Sequence, residues 1–223
     1  TEQLLCEFVA HCAHSLHLSH STIKLYLAGV RHLYISKNYP YVDSTKFYGL
    51  QLTLRGIKKC TSSESPVRLP ITITILKDIC NALNRGIFGP YLDSLMLAVC
   101  TTAFFGFLRC GEFTTPTKEF IPSIHLTLGD LSLQKHNNLE YYVLHLKFSK
   151  ADPFGKGTQI PLFRNISPCC PVAALSHYLQ FHVGESMQDP LFQMTDGDVL
   201  TRSTFIPMLR ETLCKSGHAR LAD

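Results

Sequence analysis

Apolar residues recur at helical spacing across residues 1–17, where Leu4, Leu5, Phe8, Val9 and Cys12 define one face. Ser19 and Ser21 then supply cap chemistry for a second helix. That helix sets Ile23, Leu27, Val30, Leu33 and Tyr34 on one face and Lys24 and Arg31 on another, and Asn38-Tyr39-Pro40 ends it. A third helix is predicted from about Phe47 to Lys59, closing on Arg55-Gly56-Ile57-Lys58-Lys59. Periodicity vanishes over residues 61–70, TSSESPVRLP, where Ser and Pro dominate. This stretch is the predicted linker between an all-helical domain, 1–60, and a larger mixed one, 71–223.

The second domain opens with Leu76, Ile79, Cys80 and Leu83 on a helix capped by Thr72 or Thr74 and broken by Gly86 and Gly89-Pro90. An apolar run follows from Tyr91 to Leu108, but it contains Asp93, Ser94, Thr101 and Thr102 and is short for a bilayer. It reads as a buried helix ending near Gly106, with a short helix continuing from Arg109 through Glu112. The period then changes to two. Residues 124–128 and 141–149 read as strands, the latter alternating Tyr142, Leu144, Leu146 and Phe148 with Val143, His145, Lys147 and Ser149. Asp152-Pro153-Phe154-Gly155 signals a turn, and Thr158–Leu162 reads as the returning strand. Helices resume at about Pro171–His182 and Arg202–Lys215. The pattern predicts a mainly α-helical chain with a small antiparallel β-sheet confined to the second domain.

Composition adds one discriminating fact. The chain is 45% hydrophobic and 17% charged, as ordinary folded proteins are. Its formal charge of +4 is unevenly placed. Seven basic residues (Lys24, Arg31, Lys37, Lys46, Arg55, Lys58, Lys59) face three acids (Glu2, Glu7, Asp43) before residue 61, so the remainder is neutral as a whole. A basic helical segment beside a neutral body suits a polyanion partner; a solvated basic face is the plainer alternative. Tyr26, Tyr34, Tyr39, Tyr41 and Tyr48 are interleaved with these cations, which suits a DNA backbone surface and a helical core equally.

Other features exclude more than they suggest. The first residues lack a basic start and a long apolar stretch, so no signal peptide is read. The nine cysteines are scattered without a C-x-x-C pair, and reduced thiols inside a cell are the simplest reading. His11, His14, His17 and His20 imitate a metal motif, but steps of three fan the rings around a helix, so no metal site is assigned.

Two segments carry candidate chemistry: FFGFLRCGEF at 104–113 and LHLKFSKADPFGKGTQIPL at 144–162. In this order and context they resemble the tyrosine recombinase (phage-integrase) family, most of all the recombinases of eukaryotic mobile elements of the Crypton and DIRS type. The resemblance extends to STIKLYLAGVRHLY and LRGIKK in the first domain, similar to the family's helical core-binding domain, and to SPCCPVAALSHYL after the hairpin. It implies a helical, SAM-like core-binding domain joined to an α+β catalytic domain. It also implies double-stranded DNA as partner, a homo-oligomer (a tetramer on DNA), no cofactor or metal, no membrane, and location in the nucleus.

The chemistry explains the residue types. Phosphodiester exchange gathers negative charge on the non-bridging oxygens of a phosphorane, and a guanidinium fork pairs with two of them. Arg109 matches the family's Arg in L-R-x-x-E, and Glu112, one helical step on, supports it. The departing hydroxyl needs a proton, which the resemblance assigns to a hairpin lysine. Lys147 has the parity of the polar face and is expected in solvent. Lys150 has apolar-face parity where the strand enters the turn, and Lys156, in Gly155-Lys156-Gly157, is similar to the bacterial G-K-G form. Family position and parity favour Lys150 over Lys156. Lys24, Arg31, Arg55, Lys58 and Lys59 are the candidate phosphate contacts.

The family's H-x-x-R is absent; His218-Ala219-Arg220 is H-x-R, which splits its side chains around a helix. No Tyr stands at the family's nucleophile position. The expectation is therefore a piece of a recombinase, cut before H-x-x-R and Tyr, that binds DNA without recombining it alone. In the intact family, DNA integration and recombination proceed by transesterification through a 3′-phosphotyrosine. The alternative is a catalytically inactive DNA-binding remnant or domesticated element protein.

Overall fold

A computed structural model describes residues 1–40, 44–60, 69–137, 139–150, 152, 154–184 and 186–221. The chain divides into two compact units, Thr1–Val67 and Arg68–Asp223. Residues 61–68 of the predicted linker lie outside the described residues.

The first unit holds three helices: α1 (Glu2–His14), α2 (His20–Ser36) and α3 (Tyr48–Cys60). Ser19 caps α2, its hydroxyl accepting from the Thr22 amide at 3.2 Å. Glu2 reaches across to α3, where its carboxylate accepts from the Leu50 amide at 3.1 Å. An acid at a helix N-terminus satisfies an orphan donor and the helix dipole together. The core is small: Val9 and Cys12 of α1, Ile23 and Leu27 of α2, and Leu50 and Leu54 of α3.

Here the periodicity overreached. Leu4 is exposed on α1, and Leu33 and Tyr34, predicted on the buried face of α2, are also exposed. Only the first half of α2 enters this core. Spacing identifies a face but not the length of neighbour available to cover it.

The second unit contains α4 (Ile73–Asn84), α5 (Pro90–Phe105), a one-turn α6 (Cys110–Phe113), α7 (Pro171–Leu179) and α8 (Arg202–Lys215). Strands β1 (Leu131–His136), β2 (Leu139–Leu146) and β3 (Thr158–Phe163) form an antiparallel sheet in the order β1-β2-β3. Thr72, not Thr74, caps α4. The apolar run is α5, buried without interruption from Asp93 to Thr102. Its one acid, Asp93, folds back over its own N-terminus and accepts from the amides of Ile87, Phe88 and Gly89 at 3.0–3.1 Å. A buried carboxylate is tolerated there because three donors replace its water. Among the described residues no helix is long and apolar enough to cross a membrane.

The expected class, mainly helical with a small antiparallel sheet, is the observed one. Two strand boundaries are corrected. Residues 124–128 are not a ladder strand: Leu126 and Leu128 bond to Leu191 and Asp189, with one isolated bridge between Thr127 and Pro190. The third strand is instead Leu131–His136, whose exposed, polar sequence conceals its pairing with β2. The strand predicted over 141–149 spans Leu139–Leu146, where its pairing with β3 ends at Thr158.

The five buried thiols (Cys12, Cys80, Cys100, Cys169 and Cys170) pack as small apolar groups. All nine cysteines are free, and burial pushes the Cys80 thiol up and the Cys100 thiol up to about 12.

Candidate active site

The site is built where α5 stops. Gly106 closes α5, and Phe107 adopts the left-handed conformation (φ +52°), turning the chain sharply. Arg109 follows in extended conformation as the N-cap of α6, one position outside the helix in which periodicity placed it. Glu112 at the third position of α6 returns one carboxylate oxygen to the Arg109 amide at 2.8 Å. Its other oxygen accepts from Arg109 Nη1 at 3.1 Å. Glu112 therefore fixes both the backbone and the guanidinium of Arg109.

The exposure of the pair is asymmetric. The Glu112 side chain is 10% exposed and the Arg109 side chain 60%. Nη1 also donates to Ser149 Oγ at 3.3 Å, and that hydroxyl donates to Glu112 at 2.9 Å. Among the described residues Nε and Nη2 of Arg109 have no hydrogen-bond partner, so that edge of the fork is open to an anion.

Arg109, Glu112, Ser149 and Lys150 line one cavity of about 610 Å³. Its remaining wall is largely apolar, including Phe113, Phe120, Ile124, Phe148, Phe192 and Val199, with His125 and Arg202 as further polar members. His125 Nδ1 accepts from the Ile121 amide at 3.0 Å, which fixes the neutral tautomer with its proton on Nε2. Burial pulls its pKa down, Glu119 opposes this, and the Lys147 ammonium adds to the fall.

The three hairpin lysines have different fates. Lys150 is exposed beyond the end of β2 and lines the Arg109 cavity. Lys156 is exposed on a turn between Gly155 (φ +60°) and Gly157 (φ +71°) and does not line that cavity. Asp152 holds this turn by accepting from the Gly157 amide at 2.8 Å. A side chain at position 157 would meet His145 Nε2 at 2.7 Å, which adds a steric reason for glycine there.

Lys147 corrects the parity argument. It was expected in solvent, yet its side chain is only 21% exposed and its ammonium lies 2.5 Å from the Asp130 carboxylate. The same nitrogen donates to the Pro122 carbonyl at 2.7 Å and approaches Thr127 Oγ1 at 3.2 Å and the His125 carbonyl at 3.3 Å. Alternation stops with β2 at Leu146, so strand parity assigns no direction to residues 147–150. The parity support for Lys150 falls with it; its place is given by the cavity. The acceptor-rich hollow of residues 122–130 captures Lys147.

The five candidate phosphate contacts of the first unit lie on two helices. Lys24 and Arg31 are exposed seven residues apart on α2; Arg55, Lys58 and Lys59 are exposed on the last turns of α3. The histidine run is split, with His11 and His14 on α1, His17 in a left-handed turn (φ +50°) and His20 opening α2. Among the described residues no group of three metal-ligating side chains assembles.

Sequence reasoning missed Ser149, His125 and the Asp130–Lys147 pair. Ser149 stood next to a candidate lysine, but only folding brings it to a motif 40 residues away.

No protein-family model and no curated protein matches the sequence. Solved structures do match. XerH site-specific recombinase, bound to palindromic difH substrate in a post-cleavage complex, aligns with 97% of this chain at 16% identity and a TM-score of 0.57. The chain has the tyrosine-recombinase fold. XerA recombinase aligns with 96% of the chain at 17% identity and a TM-score of 0.45. The chain spans 56% of the XerH chain and 60% of the XerA chain. At this identity the likeness carries the fold; the roles of individual residues rest on the geometry above.

Proposed function

We propose that this chain is the DNA-binding and phosphate-activating part of a site-specific recombinase, of the kind carried by Crypton and DIRS mobile elements. The observation that carries the reading is the half-open guanidinium of Arg109. Glu112 holds Nη1, Nε and Nη2 have no hydrogen-bond partner among the described residues, and Arg109 and Lys150 line the same cavity. That arrangement suits a scissile phosphate. Arg109 would neutralise the non-bridging oxygens, and Lys150 would deliver a proton to the departing hydroxyl. Residues 1–60 would grip the duplex through Lys24, Arg31, Arg55, Lys58 and Lys59. Strand exchange further needs an H-x-x-R and a nucleophilic Tyr from sequence outside these 223 residues, and a multimer on DNA. The reading places the protein in the nucleus.

A second reading is a DNA-binding protein without chemistry, in which the exposed basic residues of α2 and α3 serve duplex binding alone. Both readings predict salt-sensitive duplex binding. Five phosphate contacts give a log–log slope of about −4.5, or roughly 500-fold weaker binding at 200 mM than at 50 mM salt. A flat slope, or no binding at low salt, counts against DNA as the partner. Cleavage separates the two: in the full-length protein Arg109→Ala is expected to abolish strand cleavage by an active wild type while leaving duplex affinity within a few-fold. Unchanged cleavage in that variant refutes the assignment of Arg109.

A further inference from the structure

We infer that Ser149 is a positioning residue, the tie that holds the Lys150 loop against the Arg109–Glu112 pair. The inference rests on the recombinase reading for its catalytic consequence, and on geometry alone for the tie itself. The β2–β3 ladder ends at the Leu146–Thr158 pair, so the described residues between them have no ladder pairing to support them. Side chains restrain this loop instead. Lys147 is held by Asp130, and Asp152 binds the Gly157 amide. Neither touches the Arg109–Glu112 pair. Among the described residues, Ser149 is the member of the loop that bonds to it.

The bonding pattern assigns Ser149 a direction. Its Oγ accepts from Arg109 Nη1 at 3.3 Å and donates to Glu112 Oε1 at 2.9 Å, closing a ring with the 3.1 Å Arg109–Glu112 bond. A carboxylate only accepts and a guanidinium only donates, so a hydroxyl, which does both, fits between them. Arg109 does not depend on this hydroxyl, because Glu112 holds its amide and its Nη1 independently. Lys150 does depend on it, being the next residue along the chain. Removing the hydroxyl therefore leaves the anion-binding Arg109 in place and frees the proton donor.

This separates Ser149 from a residue that merely stabilises the fold. In the full-length protein, Ser149→Ala is expected to slow single-turnover cleavage of an ordinary duplex by about 10- to 100-fold, with duplex affinity unchanged. On a duplex with a 5′-bridging sulfur at the scissile phosphate, the leaving thiolate needs no proton, and Ser149→Ala should approach the wild-type rate. Ser149→Thr keeps the hydroxyl and should restore cleavage of the ordinary duplex. Hydrogen exchange supplies a readout independent of chemistry: Ser149→Ala should raise amide exchange within 147–157 and leave α5 unchanged. A deficit that persists on the sulfur duplex overturns the inference, because Ser149 would then act through Arg109. Unchanged exchange in 147–157 overturns it as well. If the wild type cleaves neither duplex, the recombinase reading fails, and exchange alone still decides the tie.

Discussion

Replacing Lys147 by Met removes an ammonium from the hollow of residues 122–130 while keeping most of its apolar stem. Asp130, with a side chain 6% exposed, keeps the Thr127 amide at 2.7 Å and Thr127 Oγ1 at 2.8 Å but loses its cation. The carbonyls of Pro122 and His125 lose a donor in the same step. Two estimates of the cost converge. Breaking a largely buried pair costs about 3–5 kcal/mol, and the 21% exposure of Lys147 favours the lower end. The Asp130 carboxylate and the two carbonyls, left short of a donor at about 1 kcal/mol each, give about 3 kcal/mol. For a folding unit of this size that is a fall in Tm of about 6–12 °C. Urea denaturation followed by circular dichroism measures it, with the m-value as a check that the folded state is unchanged. Lys156→Met, at an exposed turn, is the control and should stay within about 0.5 kcal/mol of wild type. In a double-mutant cycle with Asp130→Asn, the coupling should exceed about 1.5 kcal/mol. A Lys147→Met variant no less stable than the Lys156→Met control refutes the reasoning. It would also return Lys147 to the set of lysines available for proton transfer.

Other outcomes follow from the same structure. Asp93→Ala strips three amides of their acceptor and should cost about 2 kcal/mol in urea titrations, whereas a loss below about 0.5 kcal/mol would show that water replaces the carboxylate. The lowered pKa of His125 means that the fold binds its proton less well than the unfolded chain does. Its contribution is present above the ordinary value of 6.5 and is lost as pH falls through that value towards the lower, folded one. A Tm series from pH 7.5 to 5 should therefore decline more steeply in wild type than in His125→Gln, and parallel profiles would exclude this histidine as a source.

The sequence by itself determined the large elements and their order. Helical spacing located α1, α2 and α4, an unbroken apolar run located α5, turn residues marked the breaks, and the order of L-R-x-x-E before a lysine-bearing hairpin pointed to the fold now observed. These are local signals, and a period of 3.6 or two survives without knowledge of neighbours. Tertiary structure decided what spacing cannot carry. It left Leu33 and Tyr34 exposed because the first unit's core ends before the last turns of α2. It chose the polar Leu131–His136 as a strand over the more apolar 124–128, since a strand is made by its pairing partner. It drew Lys147 inward to Asp130, where strand parity had ceased to apply. And it set Ser149 against Arg109 across 40 residues of chain, with Lys150 lining the same cavity, because side chains meet by packing and not by distance along the sequence.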